Sequence, residues 1–237
     1  MQRLNPVSYE DPAARRNTVS AKALVELREA ILTTRVKPGE GLSETGCATA
    51  LGISRTPVRE AFARLFEEGL IEIASPKGTC VSLIDMNRVR EAIFVRSTLE
   101  SAVVAAATDV PSDEVLDELE MFIWQQERAA EKQDMTGLHQ ADMRFHSALM
   151  RVLGMPTAWT ALQHVTADMI RVQFLVGLRP DHVEHILREH RAILASLRKG
   201  AFSEAAALLK DHISNVNYDQ DALQAGHGEY FRREGRL

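Results

Sequence analysis

Hydrophobic residues recur along most of this chain at spacings of three and four, the period of a helix with one buried face. Residues 19 to 35, "VSAKALVELREAILTTR", carry Leu24, Leu27, Ile31 and Leu32 in that pattern, and the Pro38-Gly39 pair ends it. Two short helical patterns follow in "LSETGCATALGISRTPVREAFARLFEEGL", separated by the turn "LGIS". Ser43 and Ser54 are placed there as N-caps and Gly69 as a C-terminal stop. The period then drops to two, and "LIEI" and "CVSLI", joined by "ASPKGT", predict a β-hairpin. From Asp85 onward the pattern is helical again. It predicts six helices at about 86–107, 112–133, 135–153, 157–178, 181–199 and 202–224, with Pro111, residues 154–156, Pro180 and Gly200 at their boundaries.

Three helices and a hairpin are the order of a winged helix-turn-helix, here expected over residues 18–84. The strand-free remainder, 85–225, predicts an all-α antiparallel helical bundle. The fold class is therefore mostly α. Residues 1–17 are polar and rich in Arg and Pro, and 226–237 are polar, so a flexible arm and a flexible tail are expected at the two ends.

Charge refines this division. The 237 residues carry a net charge of -5, which argues against indiscriminate nucleic-acid binding by the whole chain. The halves differ: residues 1–80 hold 11 Lys/Arg against 10 Asp/Glu, whereas 81–237 hold 17 against 23. The two cysteines, Cys47 and Cys80, have no neighbouring Cys or His in sequence to complete a zinc knuckle, and free thiols are the reading. The start lacks a continuous apolar run, and "AVVAAA" is too short to span a bilayer. A soluble cytoplasmic protein without membrane partners is expected.

In the segment after "LGIS", Val58, Ala61, Phe62 and Leu65 form one helical stripe. Arg55 flanks it, and Thr56 and Arg59 lie off it. A recognition helix needs that arrangement, because polar side chains near its N-terminus must reach base edges while its other face is anchored. An arginine fork can bond both O6 and N7 of guanine. Lys77, at the hairpin tip beside Gly78, is placed to approach phosphate or the minor groove. The stretch "SRTPVREAxxRLxxEGL" resembles the winged-helix domain of the GntR superfamily of bacterial transcription regulators. The resemblance implies that Arg55, Thr56 and Arg59 read double-stranded operator DNA and that Gly78 is the wing tip. The sequence departs from the family at "SETGCATA", where Thr45 stands in place of a frequent basic phosphate contact, and altered affinity or site preference is expected.

Polar residues on apolar stripes mark a second candidate site. Asp142 and His146 fall among Met135, Leu138, Leu149 and Leu153; His190 among Val183, Ile186, Leu194 and Leu197; His212 among Ala205, Leu208, Leu209 and Val216. Three helices thus turn an imidazole inward, and one of them adds a carboxylate. A divalent cation would satisfy all four groups together; nitrogen-rich ligation suits zinc, and also nickel, iron or manganese. His164, with Asp168 and Arg171, and His185 fall opposite their stripes and are expected at the surface. This half resembles the FCD domain of the FadR subfamily, and "ADMRFH", "REHRAIL" and "KDHI" match that family's metal ligands in order, which implies Asp142, His146, His190 and His212.

Arg96 and Glu100 sit centrally among Val89, Ile93, Val103 and Ala107. Arg96 can pair with Glu100 at i+4, or its partner can be the carboxylate of a small organic acid. Resemblance to FCD proteins implies the second role, with Asn215 bordering the same pocket. The reading is a transcription regulator, a repressor, acting as a homodimer on a two-fold operator. The alternatives are a regulator for which the metal itself is the signal, and a metalloenzyme acting on a small acid. The last is opposed by the lack of HExxH, GxSxG or an uncommitted inward carboxylate.

Overall fold

A computed structural model of the chain describes residues 19–74, 78–215 and 220–232. The expected arm at 1–17, Lys77, Val216 and residues 233–237 lie outside them. Backbone contacts divide the chain into two units that meet between Leu83 and Ile84.

In the first unit, α1 (Val19–Leu32) and α2 (Glu44–Leu51) both pack on α3 (Arg55–Glu67), and α3 leads into the hairpin β1 (Ile71–Ala74) and β2 (Gly78–Val81). Ser43 caps α2 as its spacing predicts, accepting the Gly46 N–H at 3.0 Å. Ser54 is extended at the start of α3 but makes no such side-chain bond among the described residues. Val58, Ala61, Phe62 and Leu65 are all buried, so the α3 stripe is its anchor. The hairpin is antiparallel with Ile71 opposite Val81. Its second strand runs from residue 78 to 81, earlier than the "CVSLI" expected. Residues 39–42 account for the shift by pairing with the strand's other edge, through Leu42 N–H to Thr79 O at 2.8 Å and Val81 N–H to Glu40 O at 2.9 Å.

The second unit comprises α4 (Met86–Ala105), α5 (Asp113–Glu131), α6 (Met135–Val152), α7 (Pro156–Gln163), α8 (Ala167–Val176), α9 (Pro180–Arg198), α10 (Phe202–Ser214), α11 (Gln220–His227) and a 3-10 turn (Gly228–Tyr230). Contacts run in a closed sequence from α4 to α10, α10 to α9, α9 to α5, α5 to α6 and α6 back to α4. The core inside that ring includes Val104, Leu119, Phe145, Leu149, Ile193 and Leu209.

Two expectations fail here. The predicted helix 157–178 is two helices, α7 and α8, because the chain tightens at their junction through His164 N–H to Ala161 O and Val165 N–H to Leu162 O. That turn resets the helical phase. Asp168 and Arg171, in register with exposed His164 on a continuous helix, are instead fully buried and paired with each other. Asp168 also accepts the Asp85 N–H at 3.1 Å. The polar tail expected from residue 226 is ordered through residue 232. Phe231 packs into an apolar cluster with Ile84, Val89, Met169, Val172 and Leu223, and Ile84 exchanges backbone hydrogen bonds with Tyr230 and Arg232. Phe231, with Tyr230 packed against the same cluster and two backbone hydrogen bonds to Ile84, docks a segment whose composition is otherwise polar.

Candidate functional site

Every helix of the ring contributes to one polar cluster. Asp142 and His146 come from α6, His190 from α9 and His212 from α10, and the sequence-predicted ligand set converges: one nitrogen or oxygen from each lies within 4.8 Å of all the others. His190 Nε2 is 3.1 Å from His212 Nε2 and 3.6 Å from Asp142 Oδ1, and His146 Nε2 is 3.8 Å from the same oxygen. Donor atoms about 2.0–2.1 Å from a tetrahedral zinc stand about 3.3 Å apart, so this spacing is close to that of a coordination shell.

The opposite nitrogen of each ring is held by its own acceptor. His146 Nδ1 lies 2.6 Å from Glu100 Oε2, on α4; His190 Nδ1 lies 3.0 Å from Gln126 Oε1, on α5; His212 Nδ1 lies 2.8 Å from Glu189 Oε2, on α9. An N–H on Nδ1 donates to each, which leaves the three Nε2 lone pairs directed inward. His146 Nε2 is fully buried and has no hydrogen-bond partner among the described residues. Three imidazole lone pairs facing one another beside a carboxylate repel unless a proton, as between His190 and His212 Nε2 at 3.1 Å, or a cation lies between them, and a divalent ion fits this donor set.

Sequence patterning missed all three supporting acceptors. Glu100, completely buried, does pair with Arg96 at i+4, Nε to Oε1 at 2.6 Å, but its other oxygen holds His146. Burial by itself raises the Glu100 pKa; the adjacent Arg96 and His146 outweigh it and bring the carboxyl from 4.5 to about 2. Burial lowers the pKa of His146, and that of His190 further, with Arg96 adding to both effects and the neighbouring imidazoles to that of His190. These rings are therefore neutral, the form that ligates a metal.

Histidines of the unfolded chain take up protons below about 6.5 that buried His146 and His190 refuse. Their contribution to stability is complete above that pH and lost as pH falls below it, whereas the Glu100 contribution persists until pH falls from 4.5 toward 2. EDTA-treated protein is expected to show a lower urea midpoint at pH 5.5 than at pH 7.5; equal midpoints would contradict this account.

A cavity of about 90 Å³ adjoins the cluster, bordered by Arg96, Gln126, Asp142, Gln173, His212 and Asn215 among others. Both sequence-predicted effector residues, Arg96 and Asn215, thus lie on it. His185, expected to point away, is half-exposed yet lines the same cavity and pairs with Glu189 at 3.0 Å, because α9 passes beside the opening. His164 is exposed as expected.

In the first unit, Arg55, Thr56 and Arg59 are exposed at the start of α3, and Gly78, at φ 80°, is exposed where it opens β2 of the hairpin. The unforeseen partner is Glu44 of α2. Its carboxylate accepts from Arg59 Nε and Nη2 and from Arg55 Nη2, each at 3.1 Å, and these bonds, that of Arg59 foremost, hold its pKa below the ordinary value. Glu44 orients both guanidinium forks before any nucleic acid arrives. No helix among the described residues is long and apolar enough to cross a membrane.

Comparison with known proteins gives the same division. The family described as "Bacterial regulatory proteins, gntR family" matches residues 20–81, and "FCD domain" matches 91–215. The chain is 29% identical over 211 residues to the HTH-type transcriptional repressor RspR of Escherichia coli (strain K12), covering 88% of this chain and 91% of that protein. It is 30% identical over 209 residues to an HTH-type transcriptional regulator of Streptomyces ambofaciens, covering 87% of each. Among solved structures, E. coli McbR/YncC has a TM-score of 0.73 at 21% identity, covering 90% of this chain and 99% of that one, and is a likeness of fold. A protein of Rhodococcus sp. RHA1 described as a transcriptional regulator GntR has a TM-score of 0.67 at 26% identity, covering 88% and 98%.

Proposed function

The chain belongs to the GntR family of bacterial regulatory proteins and carries an FCD domain, which makes it a DNA-binding transcription regulator rather than an enzyme, and from that premise we propose that it is a metal-dependent, acid-responsive repressor. In this reading Asp142, His146, His190 and His212 hold a divalent cation, zinc fitting the donor set, and a small carboxylate binds beside it against Arg96. Two copies act together on a two-fold operator, with Arg55, Thr56 and Arg59 on base edges and Lys77 and Gly78 on the adjacent backbone. The repressor role accords with the name of the E. coli relative.

The observation that carries the reading is the agreement of the three Nε2 lone pairs. Glu100, Gln126 and Glu189 aim three imidazoles at one point beside Asp142, and the cavity at that point is bordered by a buried guanidinium. A centre that served only structure would not need the cavity.

Helix α8 supplies a route from ligand to response. Gln173 and Val176 border the cavity, while Asp168, two turns earlier, accepts the Asp85 N–H, and Met169 and Val172 pack against Ile84. Ile84 and Asp85 are the first residues of the second unit. An acid that binds α8 differently in two positions shifts the population between them.

The test is operator binding by fluorescence anisotropy, using the zinc-loaded full chain and the DNA upstream of its own gene. Short organic acids are expected to weaken binding, and Arg96→Ala to abolish that response while zinc content stays unchanged. Release on zinc removal with no effect of any acid would make the metal itself the signal and overturn the acid reading. Unchanged binding under both treatments would remove the sensing function altogether.

A further inference from the structure

Glu44 is the first residue of α2, and its carboxylate is the hub of the polar face at the start of α3. Oε1 accepts from Arg59 Nε, and Oε2 accepts from Nη2 of both Arg59 and Arg55, each at 3.1 Å. A guanidinium has two edges that can grip a pair of acceptors, one formed by Nε and Nη2 and the other by Nη1 and Nη2. Glu44 occupies the first edge of Arg59 and leaves the second uncommitted, with Nη1 making no hydrogen bond among the described residues. The Arg55 and Arg59 side chains are 59% and 68% exposed against 26% for Glu44, so the two cations are more accessible than the anion that holds them.

An ion pair this accessible contributes little to folding. Its effect falls instead on what the arginines can bind. A phosphate requires charge and accepts either edge of a guanidinium, whereas the O6 and N7 of guanine require a fork of matching geometry. The Glu44 carboxylate is ionised at neutral pH, because the hydrogen bonds from Arg59 and then Arg55 hold its pKa below the ordinary value, and it cancels one of the two positive charges. A duplex that offers only phosphates therefore meets one net charge instead of two, and one edge of Arg59 instead of two. A duplex with guanine at the matching position still meets a complete fork.

We infer that Glu44 is a specificity-determining residue of the DNA-binding unit: it lowers affinity for duplexes in general and reserves the free edge of Arg59 for guanine. This role rests on the reading that Arg55 and Arg59 face DNA. It exceeds orientation, since a residue that only oriented the two arginines would strengthen operator binding and leave other duplexes unaffected.

Anisotropy titrations of the full chain test it, on the DNA upstream of its own gene and on a scrambled duplex of equal length, over a series of salt concentrations. Glu44→Gln has nearly the same shape without the charge. It is expected to bind the scrambled duplex about three times as tightly as the parent or more, and to steepen the log–log salt dependence there by about one. The ratio of operator to scrambled affinity is expected to fall about tenfold. Glu44→Asp keeps the charge on a side chain one methylene shorter, and is expected to restore the parental salt slope while its ratio stays about threefold or more below the parent's. Parental ratio and slope in Glu44→Gln overturn the inference. So does an equal weakening on both duplexes, which would make Glu44 a structural contact between α2 and α3. Should Glu44→Gln fail to fold, Glu44→Asp decides, since a parental ratio in that variant also overturns the role. Arg59→Ala leaving both duplexes bound as before is a separate outcome: it takes Arg59 off the DNA face, the reading on which the role stands.

Discussion

Replacing His190 by alanine is expected to abolish stoichiometric zinc binding and to lower the melting temperature of the zinc-treated protein by about 10 °C. The ring is fully buried between Gln126 and the other ligand atoms, with its Nε2 within 3.6 Å of both His212 and Asp142. The shell loses one of its three nitrogens. A ligand present at about a thousandfold over its dissociation constant contributes about 4 kcal/mol to folding, and that linkage disappears with the site. For a chain of this size each kcal/mol shifts the midpoint by about 2–4 °C. Metal content by mass spectrometry and melting with and without EDTA measure the two effects. The decisive quantity is the EDTA-dependent shift, large in the parent and absent in His190→Ala, because truncation of a packed ring also lowers the metal-free midpoint. His164→Ala, at an exposed position, is the control and should leave the shift intact. An unaltered zinc content in His190→Ala would mean that the ring is merely a core histidine bonded to Gln126.

The second large effect is expected at the other end of the chain. Arg59→Ala should weaken operator binding by about 1–3 kcal/mol, or about 5- to 150-fold, while its effect on a scrambled duplex stays several times smaller. The Arg59 side chain is 68% exposed, and the buried stripe of Val58, Ala61, Phe62 and Leu65 anchors α3 without it, so the fold should survive. Glu44 strengthens the expectation. Its carboxylate takes both Nε and Nη2 of Arg59 and so restrains the side chain before contact. A preordered fork loses less rotamer entropy on reaching guanine. Anisotropy titrations of both duplexes at a single salt concentration measure the ratio. Equal losses on the two would assign Arg59 to phosphate alone and remove it from base reading.

Local periodicity made most of the elements legible. The helices from α4 to α9 begin and end within two residues of their expected boundaries except at the break between α7 and α8, because burial of one face repeats with the helical period; the expected 202–224 is instead α10, ending at Ser214, and α11, ending at His227. The same logic found Asp142, His146, His190 and His212, since a polar residue at the centre of an apolar stripe must face the interior. It failed at Asp168 and Arg171, where the turn between α7 and α8 changed the phase, and at Phe231, whose packing partners lie far away in sequence. Glu100 was visible as a partner for Arg96 only, because the i+4 relation is local whereas His146 lies 46 residues away.

From sequence alone came the two-part architecture, the anchored recognition helix and the four inward ligand candidates, all consequences of spacing within single helices. Tertiary structure decided the rest: that those four groups meet, that Glu100, Gln126 and Glu189 orient the rings, that Glu44 holds two arginines, and that two glutamines face one cavity. Each of these is a contact between segments whose separation is set by how helices pack, and no periodicity within a helix specifies which residue of another helix will stand opposite.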